Sequence, residues 1–324
     1  METGDILFSH INSLTHMGKT ALYKGEYDLY HGMNLLLLRV KEGIDYSFFY
    51  YLLNTPRIQG RFQVIAKPAV NQASISTSDL KKETINICTL TEQIKIGRLL
   101  SKIDERIATQ NKIIEKLQSL IRGITHSSIK EGLKNGSWSF VQLSTILSER
   151  KELNVQLYPV YSVSVSEGVI NQMDYLGRSF AAKDTRHYHV AHYGDIIYTK
   201  SPTGAFPYGI VKRSHILSPV AISPLYAVYK PQTDEAAVLL HYYFLNPTKT
   251  NNYLHPLIQK GAKNTINISN KQFIAGKIPF PKKRETLCRI SHLLTMIQRK
   301  LDLETQCLTS LYNQKSYLLS QMFI

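Results

Sequence analysis

Residues 91–124 read "TEQIKIGRLLSKIDERIATQNKIIEKLQSLIRGI", and apolar side chains recur there at alternating steps of three and four residues. The stretch "LCRISHLLTMIQRKLDLETQCLTSLYNQKSYLLSQM" at 287–322 has the same spacing. Such steps place side chains on one stripe of an α-helix, and their sustained repetition is typical of a coiled-coil seam. The predicted seams contain Leu100, Ile103, Ile107, Gln110, Ile114, Leu117, Ile121 and Ile124 in the first helix, and Leu294, Ile297, Leu301, Glu304, Leu308, Leu311, Lys315, Leu318 and Met322 in the second.

Each seam contains a polar residue at an equivalent place, Gln110 in the first helix and Glu304 in the second. Polar seam residues can fix the register of a coiled coil. At 1.5 Å per residue each helix would be on the order of 50 Å long, which is more than a globular domain needs for its own packing. We therefore interpret the helices as spacers. The alternative is two amphipathic helices that are each buried in their own domain.

The chain repeats its own sequence at a shift of about 190 to 194 residues. The order of the matching segments is preserved, and each set ends in one of the two helices. A repeat of this length predicts two copies of one structural module. The matching pairs are "GDILFS" at 4–9 with "GDIIYT" at 194–199, "ISTSDL" at 75–80 with "ISNKQF" at 268–273, and the short β-like runs "INI" at 85–87 with "IPF" at 278–280.

The second copy is the longer of the two. Its β-rich runs are broken by Gly, Pro and Asn turns and accompanied by a few helical stretches, which predicts a mixed α/β module. The region from about Trp138 to Tyr193 has no counterpart before Gly4. We predict an α+β fold with these segments: 1–89, a partial first module; 90–124, a central helix; 125–135, a linker; 136–281, a complete second module; and 282–324, a distal helix.

The composition favours a nucleic-acid partner. There are 39 Lys and Arg against 24 Asp and Glu, a net charge of +15, which is costly to keep without an anionic partner. A merely basic globular protein is the alternative. No apolar run approaches the roughly 18 residues of a membrane helix, and "METGDILFSH" is unlike a signal peptide, so we expect a cytoplasmic protein that contacts no membrane. Cys88, Cys288 and Cys307 are too few and too far apart to predict disulfides or a zinc site.

Motifs that would indicate an enzyme are missing or incomplete. The stretch "MGKT" at 17–20 resembles the end of a phosphate-binding P-loop, but Ser13 stands where that motif needs its first glycine. There is no Gly-rich dinucleotide loop and no G-x-S-x-G nucleophile motif. We therefore expect no catalytic residue, cofactor or metal.

Two sets of polar residues are candidates for a metal site or for acid–base chemistry. In "HYHVAH", strand alternation puts His187 and His189 on one face and His192 on the other, which favours surface or nucleic-acid-contacting histidines over metal ligands. Asp5 and Asp195 occupy the paired "GDI" turns. We expect them to shape the turns or to accept hydrogen bonds from backbone amides, and not to act in acid–base chemistry.

Basic residues alternate with aromatic and small polar residues on loops of the modules, as in "KSPTGAFPYG" at 200–209. Lys and Arg neutralise phosphates, whereas Asn, Gln and Arg can read base edges, and rigid modules commonly present such residues on loops. The candidate DNA-binding residues are Tyr175, Arg178, Lys183, Arg186, Lys200, Ser201, Thr203, Lys212, Arg213, Lys260, Lys263 and Asn264 in the second module, and Arg61, Lys67, Asn71 and Gln72 in the first.

These features together resemble the specificity subunits of type I restriction-modification systems. The resemblance rests on the repeated order of a "GDI" strand-turn, an I-S-x-x-x-L/F segment, a short β-run, and a helix opening with "EQIKIGRLLSKIDERI" or "LCRISHLLTMIQRKL". It implies two target recognition domains that each read half of a bipartite DNA site, held apart by two helices in an antiparallel coiled coil. The first domain departs from the pattern, because it would need roughly 50 more residues before Gly4.

The resemblance also implies partners and activity. The chain would be a non-catalytic subunit that binds double-stranded DNA and directs adenine methylation through modification subunits, and cleavage through motor-nuclease restriction subunits. Two alternatives stay open: a coiled-coil adaptor or remnant that binds only proteins, and a nuclease that acts alone. Within the recognition loops we expect Lys200, Lys212, Arg213 and Lys260 to hold phosphates, and Thr203, Lys263 and Asn264 to touch base edges.

Overall fold

A computed structural model describes residues 1–70, 72–173, 184–260 and 266–323. The chain divides into a first unit, Met1–Ile114 with Leu303–Ile324, and a second unit, Glu115–Asp302. Both contain sheets and helices, so the predicted α+β class is confirmed. Two long helices, α4 (Leu90–Lys134) and α8 (Arg284–Gln321), each contribute residues to both units.

The first unit contains two three-stranded sheets, with strand orders β3-β1-β4 and β2-β6-β5. In the first sheet the central strand β1 pairs antiparallel with both neighbours. The elements before α4 are β1 (Ile6–Ser9), β2 (Ile11–Asn12), β3 (Thr20–Leu22), β4 (Leu35–Leu38), α1 (Tyr46–Leu53), α2 (Pro56–Ile65), β5 (Lys67–Ala69), β6 (Gln72–Ser74) and α3 (Thr77–Lys82).

The core of this unit lies between the β3-β1-β4 sheet and helices α1 and α2. Ile6 and Phe8 of β1 are fully buried, and the ring of Phe8 meets Phe62 of α2 edge to face at 5.0 Å. Side chains cap both helices: Asp45 accepts from the backbone N–H of Phe48, and Thr55 accepts from the backbone N–H of Ile58. The helix after Thr55 opens with proline, which is common at the first helical position. These apolar and capping positions explain why the short first module forms a core of its own.

Within the first unit, the beginning of α4 packs on the end of α8. Leu100, Ile103 and Ile107 are buried in a cluster that includes Leu308 and Leu311. Two polar contacts give the direction of the pair. The Gln110 side chain donates to the Glu304 backbone oxygen at 2.9 Å, and Lys315 donates to Asp104 at 2.6 Å. Residue numbers rise along one helix as they fall along the other, so the predicted antiparallel coiled-coil pairing is confirmed.

The second unit contains two four-stranded sheets, β13-β12-β15-β8 and β10-β9-β14-β11, and the two-stranded sheets β18-β7 and β16-β17. Its elements between α4 and α8 are β7 (Trp138–Gln142), β8 (Leu147–Glu149), β9 (Val160–Ser164), β10 (Gly168–Asn171), β11 (His189–Ala191), β12 (Ile196–Tyr198), β13 (Val211–Arg213), β14 (Val220–Ile222), β15 (Ala227–Pro231), α5 (Asp234–Phe244), α6 (Pro247–Leu254), β16 (Gln259–Lys260), β17 (Ile266–Asn267), α7 (Asn270–Ala275) and β18 (Lys277–Pro281).

Both faces of the sheet that contains β12 are covered. Ile196 and Tyr229 belong to a large cluster with α5, α7 and the ends of α4 and α8 that lie in this unit. Ile197 and Val228 point the other way and pack with Val220 of the second sheet. The run "IIY" of β12 is therefore buried throughout, as expected for a strand between two layers.

The repeat found in the sequence is also structural. The register Ile6↔Leu38 in the first unit matches Ile196↔Tyr229 in the second, so β3-β1-β4 corresponds to β13-β12-β15. The "ISTSDL" and "ISNKQF" segments also correspond, because Ser76 and Ser269 each cap a short helix through the side-chain oxygen. Two copies of one module are thus superimposable in strand order and in local capping.

The described part of the first module contains no counterpart of the strands that cover the second module's sheet. In the second module β8 pairs with β15 and forms the edge of that sheet, and the sheet of β9, β10, β11 and β14 covers the outer face. Among the described residues of the first unit, no strand pairs with the outer edge of β4. Tyr30 and Met33, in the segment equivalent to the one that holds β14, are 96% and 94% exposed.

Two predicted features are different in the structure. The segment 125–135 was expected to be a linker, but α4 continues to Lys134 because Ile129 and Leu133 extend its apolar stripe into the second unit's core. The run "INI" at 85–87 was expected to be β-like and forms no strand. Its counterpart in β18 pairs with β7, and a strand equivalent to β7 is not among the described residues of the first unit.

The end of α4 offers a test of close packing. An ideal Cβ at Gly132 would lie 1.9 Å from Cδ1 of Trp138, whereas no atom lies within 4 Å of a Cβ at Gly123 on the same helix. We expect Gly132→Ala to destabilise the second unit by about 1–3 kcal/mol through overpacking. Gly123→Ala should stabilise it by roughly 0.5–1 kcal/mol through helix propensity. Urea unfolding followed by fluorescence of Trp138 measures both; equal effects of the two variants would contradict the packing.

Candidate nucleic-acid interface

The "GDI" turn of the second module is held by a buried ion pair. Asp195 is 1% exposed, and its carboxylate accepts from Nε and Nη2 of Arg150 at 2.7 and 3.0 Å. It also accepts from the backbone N–H of His192 at 2.8 Å. Gly194 has φ of +87°, a conformation that favours glycine. The turn therefore fixes where β12 begins, and with it the loop at the other end of that strand.

The first module builds the same turn with a different arginine. Asp5 accepts from Nε and Nη2 of Arg39 at 2.7 and 2.9 Å and from the backbone N–H of Glu2 at 2.6 Å. The hydrogen bond from Arg39 holds the pKa of Asp5 below its usual value. Arg39 follows β4, whereas Arg150 follows β8, a strand without a counterpart in the first module. The predicted turn role of both aspartates is confirmed.

The arginine partners were missed at the sequence level. Arg39 and Arg150 lie 34 residues after and 45 residues before their aspartates, so no local spacing links either pair. The signal in the sequence that could have indicated a buried partner was the repeat of the acidic turn. Two identical acidic turns next to a buried strand each require a cationic or amide partner.

The loop 200–209 directly follows β12 and is braced at both ends. The Tyr198 hydroxyl donates to the Tyr208 backbone oxygen at 2.8 Å, and a backbone pair joins Thr203 to Phe206. Gly209 has φ of +100°, and a Cβ there would lie 1.8 Å from the Thr199 carbonyl oxygen. The loop is therefore a built feature that requires glycine where it returns to the sheet.

Three of the candidate DNA-binding residues lie on this loop. Ser201 and Thr203 are exposed, and Lys200 is half-buried. No ion pair joins Lys200 to another described residue, so its charge is available to a phosphate. Loop 200–209 thus presents one cation and two hydroxyls to solvent.

The other described candidates at the surface are engaged with neighbours. Arg186 is paired with Asp184, and both side chains are mostly exposed. In the first module Arg61 donates to the Thr84 backbone oxygen and forms an ion pair with Glu83, and Lys67 forms an ion pair with Asp79. Exposed pairs of this kind contribute little to stability and exchange readily for phosphate contacts. Gln72 of β6 is exposed.

Lys212 and Arg213 are not placed as the sequence suggested. They are 4% and 3% exposed on β13, and neither presents its charge at the surface. Lys212 donates to the Val165 backbone oxygen at 2.6 Å, and Arg213 forms an ion pair with Asp234. The tertiary structure draws both side chains inward because β13 is flanked by α5 and the β9–β10 turn. The expectation that they hold DNA phosphates is therefore withdrawn.

The remaining candidates lie outside the described residues. Lys260 is described only as part of β16, without its side chain. The candidates that lie wholly outside are Asn71, Tyr175, Arg178, Lys183, Lys263 and Asn264.

The histidines of "HYHVAH" have separate partners. His187 precedes β11, so the strand alternation expected for it does not apply. His189 contacts the Tyr226 backbone oxygen at 3.1 Å, and His192 contacts Glu152 at 2.8 Å. No group of three or more His, Cys, Asp or Glu suited to a metal ion occurs among the residues that the structure describes. Within the same residues, no helix has the length and apolar character needed to cross a membrane.

Comparison with known proteins connects this architecture to one family. Residues 1–119 match the profile of the family described as type I restriction modification DNA specificity domain. The first 119 residues of this chain are therefore similar to type I restriction-modification DNA specificity domains. The match covers the first module and the beginning of α4, and the structural repeat relates the second module to the first.

The chain is also similar to two individual proteins, one in sequence over part of its length and one in fold. The chain is 46% identical over 132 residues to the "Putative type I restriction enzyme MjaX specificity subunit" of Methanocaldococcus jannaschii; the match spans 40% of this chain but only 31% of that relative's length. The crystal structure of a type I restriction-modification system S subunit from M. genitalium has a TM-score of 0.65 at 18% identity, covering 99% of this chain and 83% of that one. The second likeness concerns the fold.

Proposed function

We propose that this chain is the DNA-reading subunit of a type I restriction-modification complex. The observation that carries the proposal is the repeated module: each copy has the same buried Asp–Arg turn before a central strand and is followed by a long helix, and the first copy matches the DNA specificity domain profile. The net charge of +15 suits a polyanionic partner. The chain itself performs no chemistry in this proposal.

The partners proposed for the subunit are double-stranded DNA, modification subunits and restriction subunits. The chain would select the site, the modification subunits would methylate adenine there, and the restriction subunits would cleave DNA. The antiparallel helix pair would act as the spacer between the two modules. The match of residues 1–119 to the DNA specificity domain profile supports this assignment.

In the second module we propose that loop 200–209 lies in the DNA cleft. Lys200 would hold a phosphate and Thr203 would approach a base edge. The hairpin formed by β16 and β17 brackets Lys263 and Asn264, which would extend the same surface. In the first module the equivalent hairpin, β5–β6, would present Lys67 and Gln72. We also propose that Tyr175, Arg178, Lys183 and Arg186 contact DNA.

We expect Lys200→Ala to weaken binding to all DNA sequences alike and to lower the slope of log K against log salt by about one, because one phosphate contact is lost. Lys116→Ala is the matched control, since Lys116 is an exposed lysine of α4 outside the loop. Fluorescence anisotropy of labelled DNA, with the modification subunit present and over a salt series, measures both variants. Equal slopes for the wild type and Lys200→Ala would contradict the contact.

The same titration separates the proposal from the protein-only adaptor. An adaptor binds the modification subunit but shows no salt-dependent DNA affinity. Mapping methylated adenines in a genome carrying the gene and its modification partner then shows whether the site is bipartite. Asn264→Ala should relax one half-site by roughly the 1–3 kcal/mol of a lost base contact. An unchanged methylation pattern would remove base reading from that loop.

A further inference from the structure

A cavity of about 670 Å³ lies in the second unit, away from loop 200–209. Its walls come from α4, the β9–β10 turn, β13, α5, α6 and the part of α8 that belongs to this unit. The volume is that of a typical small-molecule site, roughly 300–1,000 Å³. The ionisable side chains on its walls are Arg122, Glu167, Lys212, His215, His241, Lys249 and Asp302.

Lys212 gives this cavity a buried positive charge. Its side chain is 4% exposed, and the one described partner of its ammonium is the Val165 carbonyl oxygen at 2.6 Å. No described carboxylate forms an ion pair with it, and burial lowers its pKa. Removing an ammonium from water without a counter-charge costs several kcal/mol. A carbonyl dipole offsets only part of that cost.

A second lysine on the same walls is in a similar position. The Lys249 ammonium lies over the ring of Tyr243 at 5.6 Å, and no ion pair joins it to a described residue. Burial lowers the pKa of Lys249 as well. The cavity therefore contains two partly desolvated ammonium groups that form no ion pair with a described residue.

Two neutral histidines also line this cavity. A guanidinium and a backbone N–H can only donate, so Nδ1 of His215 and Nδ1 of His241 both accept from Arg213, at 3.1 and 3.3 Å. Burial and nearby cations lower the pKa of both histidines, which keeps them neutral. Each ring then carries its hydrogen on Nε2.

The walls of the cavity carry a small surplus of positive charge. Asp234 is paired with Arg213, so the cavity is lined by three further cations, Arg122, Lys212 and Lys249, and by two carboxylates, Glu167 and Asp302. Asp302 accepts from the neutral amide of Gln298 at 2.8 Å, and no ion pair joins either carboxylate to a lysine of the walls among the described residues.

We propose that this cavity binds a small molecule through a phosphate group held by Lys212 and Lys249. The two ammonium groups supply the charge, and the histidine Nε2–H groups are donors for further phosphate oxygens. Arg122 on α4 lies at the same walls, on the exposed side. This site is independent of the proposed DNA contacts, and an oxyanion there would neutralise charges that folding leaves unpaired.

The test uses the full chain and inorganic phosphate at pH 7.5, with ionic strength held constant by sodium chloride. Isothermal titration should show saturable binding at one site, and phosphate should raise the midpoint of thermal unfolding. Lys212→Met should weaken phosphate binding at least tenfold. Without phosphate, it should leave the chain as stable as the wild type or more so, because a buried unpaired charge is removed.

Controls distinguish this site from other cationic surfaces. Lys200→Ala should bind phosphate at the cavity as the wild type does. Lys249→Met should weaken phosphate binding, and this second variant keeps the test valid if Lys212→Met does not fold. Sodium acetate at the same ionic strength should give a much smaller effect. The proposal is overturned by the absence of saturable binding, by unchanged binding in both lysine variants, or by acetate binding as well as phosphate does.

Discussion

Replacing Ile107 with aspartate should disrupt the helix pair of the first unit. Ile107 is 7% exposed and lies in the cluster that joins α4 to Leu308 and Leu311 of α8. The substitution removes a buried apolar side chain and places a carboxylate in an apolar cluster. We expect a loss of stability on the order of 4 kcal/mol. This is large relative to the total stability of a typical domain, about 5–15 kcal/mol.

The measurement must report on the first unit alone. Hydrogen exchange of the α4 amides from residue 100 to 110 does so, because these amides lie within that unit. Ala108→Asp is the matched control, since it introduces the same charge one residue away on an exposed position. We expect Ile107→Asp to lose protection across this stretch and Ala108→Asp to retain it. Similar protection in both variants would show that the seam does not stabilise the unit.

Replacing Asp195 with alanine should be nearly as damaging to the second unit. The change leaves the Arg150 guanidinium, whose side chain is only 19% exposed, with the more distant carboxylate of Glu152 at 3.4 Å, and it leaves the His192 N–H without its acceptor. Breaking a buried ion pair by removing one partner typically costs about 3–5 kcal/mol. Trp138 is the only tryptophan of the chain and is buried in this unit, so its fluorescence in urea follows the transition.

A double-mutant cycle separates the ion pair from the loss of a side chain. Arg150→Ala in the Asp195→Ala background should cost much less than Arg150→Ala alone, because the two residues act as a pair. Asp184→Ala is the control, since it breaks the exposed pair with Arg186 and should cost no more than about 1 kcal/mol. If Asp195→Ala were no worse than Asp184→Ala, the buried turn would not support the module.

The strongest sequence signals were periodic or repeated ones. The three-four spacing around Leu100 and Leu294 predicted the long helices, because an apolar stripe at that period can be buried only if the segment is helical. The paired "GDI" turns predicted two equivalent strand starts, and the structure gives Ile6 and Ile196 the same register. Comparing the copies also showed that 138–193 has no counterpart before Gly4, and the structure places β8, β9, β10 and β11 in that segment.

The sequence was less informative about charged residues. Lys212 and Arg213 were grouped with Lys200 because all three are basic residues near turns of one module. Only Lys200 lies on a loop, whereas β13 directs the other two into the unit. The sequence "VKR" of β13 has no apolar–polar alternation. It therefore does not indicate whether the strand lies at a solvent-exposed edge or is enclosed by a helix and a hairpin.

The sequence by itself thus determined the helices, the repeat, the fold class and the resemblance to type I specificity subunits, because each depends on patterns that extend over many residues. The tertiary structure decided that Asp195 pairs with Arg150 while Asp5 pairs with Arg39, and that α4 continues through 125–134. It also decided that Lys212 lines a cavity. The physical reason is that ion pairing and burial depend on which distant segments pack together, and no local spacing in the chain encodes those neighbours.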